Sequence, residues 1–446
     1  MKIVHISNYY FDKLGYHENL LPRYQQKIGN DVILITSDRS LFPYNQIGDH
    51  EEKEGRFLIK VLETKGESKQ RFVIFKNLYD CLVELKPDYI FHHGVTAPSL
   101  LDVAKYKKKN PSVFVAADCH EDLNNSGRIY PWKLIYYNFL WSKVWKNLIP
   151  QIDVIFGVTP ARCYFAHLEL GIPWDKIRFL PQGADVDEAE YWLENKHTRS
   201  GNRQITMITG GKWTRNKKLE NLLIAMKGLP INLRVFGKIY DNKLLKLIQE
   251  QQNVEFLGWL DRKHTFKEIV NSDIAIWISF HTTLMEDAIA AELPVILRYY
   301  GSTCHLIRGN GQYLFSGTRK EINFLLRTLL KNLDLIISYR NRAKDIKALL
   351  SYYSIAKESI EYYHSLEQKT LQDHALNAYG IDEIKLLFSA NKGVLPQPLD
   401  EVGSGGEKSR LMLAIKSLVA ETITLPTLIF DEIDTGISGE VAQKVG

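Results

Sequence analysis

Short apolar, β-branched runs alternate with stretches of helical period along residues 1–365, and together they lay out a chain of βα units. Residues 1–7 (MKIVHIS) predict a strand that enters the fold directly rather than a signal peptide, with its turn at Asn8-Tyr9-Tyr10. A helix follows over 17–28, stopped by Gly29-Asn30, and residues 31–36 (DVILIT) form the next buried strand. The same alternation predicts strands at 57–62, 88–92, 112–116 and 153–158, and helices at 71–85 and from Pro98, with Thr159-Pro160 opening another. A second series gives strands at 176–180, 204–209, 232–236, 253–257, 273–278 and 294–297, closed by a long helical region at 319–365. Repeated βαβ units build parallel sheets. The expected fold class is therefore α/β, with Rossmann-like domains at 1–165 and 166–345 facing across a cleft. A closing helix at 346–365 and a separate segment at 366–446 complete the chain. Such a cleft places a ligand between the carboxyl ends of both sheets.

Composition narrows this picture. Apolar residues make up 45% and charged residues 24% of the 446, the balance of a folded chain, and no apolar run approaches the ~18 residues of a membrane span. Cys81, Cys119, Cys163 and Cys304 form no CxxC pair and no metal spacing, which fits free thiols in a reducing cytoplasm. Charge is uneven: residues 366–446 hold 7 Lys+Arg against 12 Asp+Glu, which leaves 50 against 40 for residues 1–365. A basic body with an acidic end suggests two pieces of different origin. It also suggests an anionic partner for the body, such as a nucleotide diphosphate, an anionic lipid or nucleic acid.

Residues 128–150 (RIYPWKLIYYNFLWSKVWKNLIP) contain four basic residues, Arg128, Lys133, Lys143 and Lys146, and no acid. At about 100° per residue, Leu134, Tyr137, Trp141, Val144, Trp145 and Leu148 share one face, and the lysines fall off it. A basic amphipathic helix rich in Trp and Tyr has the composition of a membrane-surface binder, on the inner face of the cytoplasmic membrane in a cytoplasmic protein. The plainer alternative packs it on the first domain with its lysines solvated.

Three stretches carry candidate chemistry. Residues 277–294 (WISFHTTLMEDAIAAELP) run from strand through a polar turn into a helix led by Glu286, and helix N-termini favour anions. Residues 209–218 (TGGKWTRNKK) read as a basic loop between strand and helix. Its two glycines admit close backbone approach, and Lys212, Arg215, Lys217 and Lys218 supply positive charge. No GxxxxGK[ST] occurs, so it is not a P-loop. Asp118-Cys119-His120-Glu121-Asp122, with Asn124-Asn125, follows the strand at 112–116; three acids and a histidine there are expected to line the cleft. As a metal site, Asp-x-His-x-Asp is a poor match, and no metal ligand set is assigned. His92-His93-Gly94 ends the preceding strand and could face the same cleft, although a pair of histidines there is more often structural.

With those residues in view, positions 1–365 resemble a family-4 glycosyltransferase of the GT-B fold. The resemblance rests on LGYHENLL (14–21), LPQGADVD (180–187), GGKWTRNKKLENLLIA (210–225), FLGW (256–259) and SFHTTLMEDAIAAELPVI (279–296). It implies transfer of a sugar from a UDP- or GDP-sugar to a glycan or lipid-linked acceptor, with retention and with no required metal or other cofactor. No nucleic acid is expected for the body. In the same way it implies that Lys212 and Lys217 sit on the leaving diphosphate with Gly211, and that Gly15 lies where acceptor and diphosphate meet. Glu286 is implied to accept from the ribose, with Phe280, His281 and the backbone of Thr283, Leu284 and Met285 around the donor. His120 is implied to approach the donor sugar, and Asp118 and Asp122 either orient it or bind the acceptor. One departure stands out: the first glutamate of the family's E-x7-E motif falls on Ile278, and the usual glycine after Phe280 is His281. An inactive sugar-nucleotide-binding relative is the alternative this departure raises.

The segment from about Ala375 to Gly446 resembles part of the DNA-repair ATPase RecN. Residues 403–410 (GSGGEKSR) read as an ABC signature loop with Ser404 at its centre. Residues 427–432 (TLIFDE) read as a Walker B strand with Asp431 and Glu432, and 434–439 (DTGISG) as the loop after it. There is no Walker A lysine loop in the chain. The segment reads as a fused fragment joined near 365–371, and a DNA-repair ATP-binding component is the reading it would carry alone.

Overall fold

A computed structural model describes residues 1–11, 14–39, 49–51, 57–65, 73–124, 130–196, 204–368, 387–388 and 397–398. The chain divides into two compact units, Met1–Gly380 and Ile381–Gly446. In the second, the described part is the backbone of a short antiparallel pair, Leu387–Phe388 with Gln397–Pro398. Ser404, Asp431, Glu432 and the motifs around them lie outside the described residues.

The first unit holds two parallel sheets. One comprises β1 (Lys2–Ile6), β2 (Asp31–Ser37), β3 (His50–Glu51), β4 (Leu58–Leu62), β5 (Tyr89–His93), β6 (Phe114–Cys119), β7 (Val154–Gly157) and β8 (Ile177–Phe179). Their order is β3-β4-β2-β1-β5-β6-β7-β8, parallel throughout except where β3 meets β4. The other comprises β9 (Ile205–Trp213), β10 (Ile231–Ile239), β11 (Val254–Phe256), β12 (Ile274–Trp277), β13 (Val295–Arg298) and β14 (Gly311–Leu314), in the order β11-β10-β9-β12-β13-β14. Near-continuous apolar strands such as VILI and IAIW need both faces covered, which parallel sheets flanked by helices supply. In each sheet the strand order reverses at one place, between β1 and β5 and between β9 and β12. Those are the switch points where open α/β sheets bind ligands.

The region expected as one long helical stretch divides into helices Arg319–Lys331 and Leu333–Ile346, a turn at Lys347–Leu350, and the closing helix Tyr352–Gln368. The closing helix leaves the second domain and packs on the first. Tyr352, Ile355, Ala356 and Ile360 join a core with Ile3, Leu20, Tyr24, Leu34 and Phe91. Polar contacts pin it to the first helix, His17–Lys27: Gln25 Nε2 donates to Ser359 Oγ at 2.9 Å, and His17 Nδ1 lies 3.2 Å from the Tyr352 hydroxyl.

Four expectations are corrected. The strand expected at 112–116 runs from Phe114 to Cys119, so Asp118 lies within the sheet rather than beyond it. The loop expected at 209–218 is strand as far as Trp213, because β10 keeps pairing with it through Lys238 opposite Lys212 and Ile239 opposite Trp213. The helix expected at 71–85 occupies Leu78–Leu85, since Phe75 is bridged to Thr64.

The fourth correction concerns residues 128–150. The described part is a turn of helix at Tyr130–Trp132, a π-helix at Lys133–Trp141 and an α-helix at Ser142–Leu148. A π-helix winds at about 4.4 residues per turn, so each residue lags an α-helical wheel by roughly 18°. The face grouped by the helical wheel packs inward, as the plainer alternative has it: Tyr137, Trp141, Trp145 and Leu148 are buried in the first domain's core, Val144 packs against it, and only Leu134 leaves it. Lys133 is held by Glu169 at 2.7 Å rather than solvated. Leu134, Ile135, Phe139 and Leu140 are the exposed apolar residues instead, 43%, 62%, 61% and 46% accessible.

Two outcomes follow from this packing. Gly237 has φ of +108°, and a Cβ there would stand 1.9 Å from the Gly211 carbonyl oxygen across the β9–β10 pair. Gly237→Ala is expected to lower stability by at least about 1–3 kcal/mol, the cost of the backbone conformation alone. Denaturant midpoints measure it, and a change under ~0.5 kcal/mol would mean the pair is looser than described. Acid should act on the first domain through His17 and His92, both buried, whose pKa values burial lowers to about 3 and about 4. Unfolded, they return to about 6.5. Their contribution is complete above that value and is lost as pH falls from it toward 4 and 3. Urea midpoints should drop between pH 7 and pH 5, and His92→Gln should shrink the drop; equal midpoints in the wild type would contradict the buried neutral state.

Candidate active site

At the β1/β5 switch point a cavity of about 410 Å³ opens, lined by Ser7, Asn8, Tyr9, Phe11, Tyr16, Glu18, His93, Gly94, His120 and Gln182. This is the size of an ordinary small-ligand pocket. Behind it lies a hydrogen-bonded chain whose protons can be assigned. Ser359 Oγ donates to the Ala356 carbonyl and so accepts from Gln25 Nε2. Gln25 Oε1 then faces His5, whose Nε2 donates to it at 2.6 Å. His5 Nδ1 accepts from His93 Nε2 at 3.0 Å, and His93 Nδ1 donates to Asp118 Oδ2 at 2.8 Å. Both nitrogens of His93 are thus engaged, one with His5 and one with Asp118.

Asp118 is fully buried. Burial opposes its charge, but His120 and His93 outweigh it and hold the carboxyl well below its usual range. Asp118 Oδ1 also accepts the Gly94 N–H at 2.7 Å. His120 Nε2 lies 3.1 Å from Asp118 Oδ2. Burial pushes the His120 imidazole down, but Asp118 prevails and its pKa stands above the ordinary value. Of the three residues assigned to the acceptor side, only His120 reaches the cavity. Asp118 is committed to its histidines, and Asp122, 4% exposed, lies 3.4 Å from Arg162 Nε.

The second half of the site lies at the β9/β12 switch point. Lys212 projects from the end of β9, exposed, and Lys217 follows in a turn at Arg215–Lys217. Burial and then the charge of Lys212 lower the Lys217 pKa, so the two ammonium groups act on one another. Among the described residues neither has a carboxylate partner. Gly211, at φ +140°, leaves room that Lys217 uses: a Cβ on Gly211 would stand 3.2 Å from Lys217 Nζ. An anion complements such a pair.

On the neighbouring strand, β12 ends before His281, and Glu286 lies in the short helix Leu284–Ala290. Glu286 is fully buried and its Oε1 meets His281 Nε2 at 2.5 Å. Burial raises Glu286 to about 8 and keeps His281 well below its ordinary value. Burial thus disfavours charge on both partners of this contact, and the ribose contact implied for Glu286 needs His281 to move. Ile278 is buried at 6% and offers no polar atom to a sugar. Phe280 packs on Tyr300 at 5.2 Å between centroids. The Met285 N–H already donates to the Thr282 carbonyl at 2.9 Å, so it is not open to a phosphate. Thr283 precedes the helix and Leu284 begins it.

The two halves meet electrostatically. His281 responds to the charges of Arg162, Asp122 and His120, all from the first domain's side. Gly15 lies beneath the Arg262 guanidinium, since a Cβ there would fall 1.9 Å from Nη1. Arg262 lies 3.3 Å from Asp287 and 3.9 Å from Asp185. Arg162, Arg262, His305 and Glu18 are site residues that the sequence reading missed. Glu18 had a signal, as the acid of the first turn directly after Gly15-Tyr16-His17. The other three sit in helices or turns with no motif around them.

No family model matches the chain. Similarity to curated proteins covers a segment only. RecN of Rickettsia bellii is 52% identical over 69 residues, 16% of this chain and 12% of that protein. RecN of Haemophilus influenzae is 44% identical over 96 residues, 22% of this chain and 17% of that one. The chain thus spans less than a quarter of the length of these relatives. Solved structures align over the body. Sucrose-phosphate synthase from Thermosynechococcus elongatus superposes with a TM-score of 0.59 at 15% identity, over 83% of this chain and 100% of that one. HepE of Anabaena, solved with UDP, gives 0.61 at 14% over 82% and 100%. A glycosyltransferase from Rickettsia africae gives 0.60 at 18% over 83% and 99%. The body has the GT-B fold, and the chain also carries a RecN-like segment.

Proposed function

We propose that the body is a glycosyltransferase that moves a sugar from a UDP- or GDP-sugar to a glycan or lipid-linked acceptor. The observation that carries this reading is the pair Lys212 and Lys217, two cations that act on one another at a switch point, neither with a carboxylate partner among the described residues. A departing nucleoside diphosphate gathers negative charge as the glycosidic bond breaks, and fixed cations stabilise that charge most where water is scarce. His120, held by Asp118 at the mouth of the opposite cavity, faces the space where sugar and acceptor would meet. The ligands of two structural neighbours (UDP with HepE, UDP-2-fluoro glucose with the Escherichia coli trehalose-6-phosphate protein) support a UDP-sugar donor. The exposed set Leu134, Ile135, Phe139 and Leu140 beside Lys143 and Lys146 supports a lipid-linked acceptor, reached by contact with the membrane surface. No helix among the described residues is long and apolar enough to cross a membrane.

A second reading, nucleotide-sugar binding without transfer, is favoured by Ile278 and by the His281–Glu286 contact. Thermal melts with UDP, GDP, ADP and ATP-Mg separate the possibilities. A ligand at ~100 times its Kd adds about 2.7 kcal/mol of stability. UDP or GDP is expected to raise the melting temperature, and Lys212→Ala with Lys217→Ala to remove the rise. Sugar release from the matching donor should fall roughly 10²–10³-fold in Lys212→Ala. A rise that survives the double substitution refutes the site, binding without any sugar release selects the second reading, and a rise with ATP alone points to the RecN-like segment.

A further inference from the structure

The most unusual polar group in the second domain is His305, in the turn after β13. Both of its ring nitrogens are buried and lack a hydrogen-bond partner among the described residues. Glu286 Oε2 is in the same condition. A buried imidazole with neither nitrogen satisfied costs a protein on the order of 1–3 kcal/mol per group unless something supplies the partner. One ligand atom each from His281, Glu286 and His305 lie within 4.8 Å of one another. In a tetrahedral zinc site, bonds of about 2.0–2.1 Å put ligand atoms roughly 3.3 Å apart, so side-chain rotations of about an ångström close this set on an ion.

We infer that His281, Glu286 and His305 bind a divalent transition-metal ion of the zinc type. Two imidazole nitrogens and one carboxylate oxygen suit zinc, cobalt or nickel rather than magnesium or calcium, which prefer all-oxygen shells. Burial keeps both imidazoles neutral, the form that ligates. Three protein ligands leave a coordination position for water or a ligand oxygen. The charges facing the site are Arg162 and Arg308 against Asp122, and Arg162 is paired with Asp122 at 3.4 Å. The site shares Glu286 with the proposed donor site. An ion there holds the carboxylate that a ribose would need, so the metal acts as an inhibitor of donor binding rather than as a cofactor.

The full-length protein, stripped by chelation, is titrated with Co²⁺ followed by visible absorption and with Zn²⁺ followed by calorimetry, with no nucleotide present. One equivalent is expected to bind, and His305→Ala and His281→Gly should each weaken binding at least tenfold. His281→Gly guards against a folding defect, because it restores the residue usual at this place in the family. Melting curves of the stripped proteins confirm that both variants fold. Absence of saturable binding, or binding that both variants retain in full, overturns the inference. Because the readout contains no nucleotide, its failure leaves the donor reading standing, and a failure of UDP to bind leaves the metal site standing.

Discussion

Asp118 lies near the end of β6 without contact with water, and a charge in that position must be answered by neighbours or it neutralises. It is answered by three elements at once. His93 comes from β5, His120 from the loop after β6, and the Gly94 N–H from the turn between them. Behind His93 the chain of donors runs through His5 on β1 and Gln25 on the first helix to Ser359 on the closing helix. The cavity wall is therefore the outer surface of one polar network. The orientation of His120 depends on contacts made far from any substrate.

The second domain solves the opposite problem. Lys212 and Lys217 act on one another with no carboxylate partner among the described residues, which raises the energy of the unliganded protein slightly and makes an anion welcome. Glu286 and Asp287 lie in the same short helix but have different partners. Asp287 lies beside Arg262, and Glu286 meets His281. The two sides of the cleft thus differ in kind, one internally satisfied and one in want of a ligand.

Much of this was legible in the sequence, because buried parallel strands leave an apolar signal that no surface segment imitates. The switch-point residues His93, His120, Lys212, Lys217 and Glu286 could be found because strand ends and the motifs beside them are local features. What could not be read is pairing at a distance. Strand β9 continues to Trp213 only because β10 lies alongside it. The histidines at 92 and 93 look alike in sequence, yet His92 bonds Gly94 and Ser99 while His93 faces the cavity. His305 meets Glu286 through tertiary structure alone. The stretch at 133–141 was misread for a different reason: an apolar face rich in Trp and Tyr looks the same in sequence whether it meets a membrane or the domain's own core.

The closing helix has a consequence in time. Tyr352 contacts His17 across 335 residues of chain, and the first domain's core lacks Tyr352, Ile355, Ala356 and Ile360 until that helix arrives. At about 5–20 residues per second of synthesis, the first domain waits on the order of ten to forty seconds with that groove uncovered. During that interval Leu20, Tyr24 and Phe91 border an apolar surface with no cover of its own. The half of the protein made first is thus the half completed last, and it is the part that would engage chaperones while the rest is still being translated.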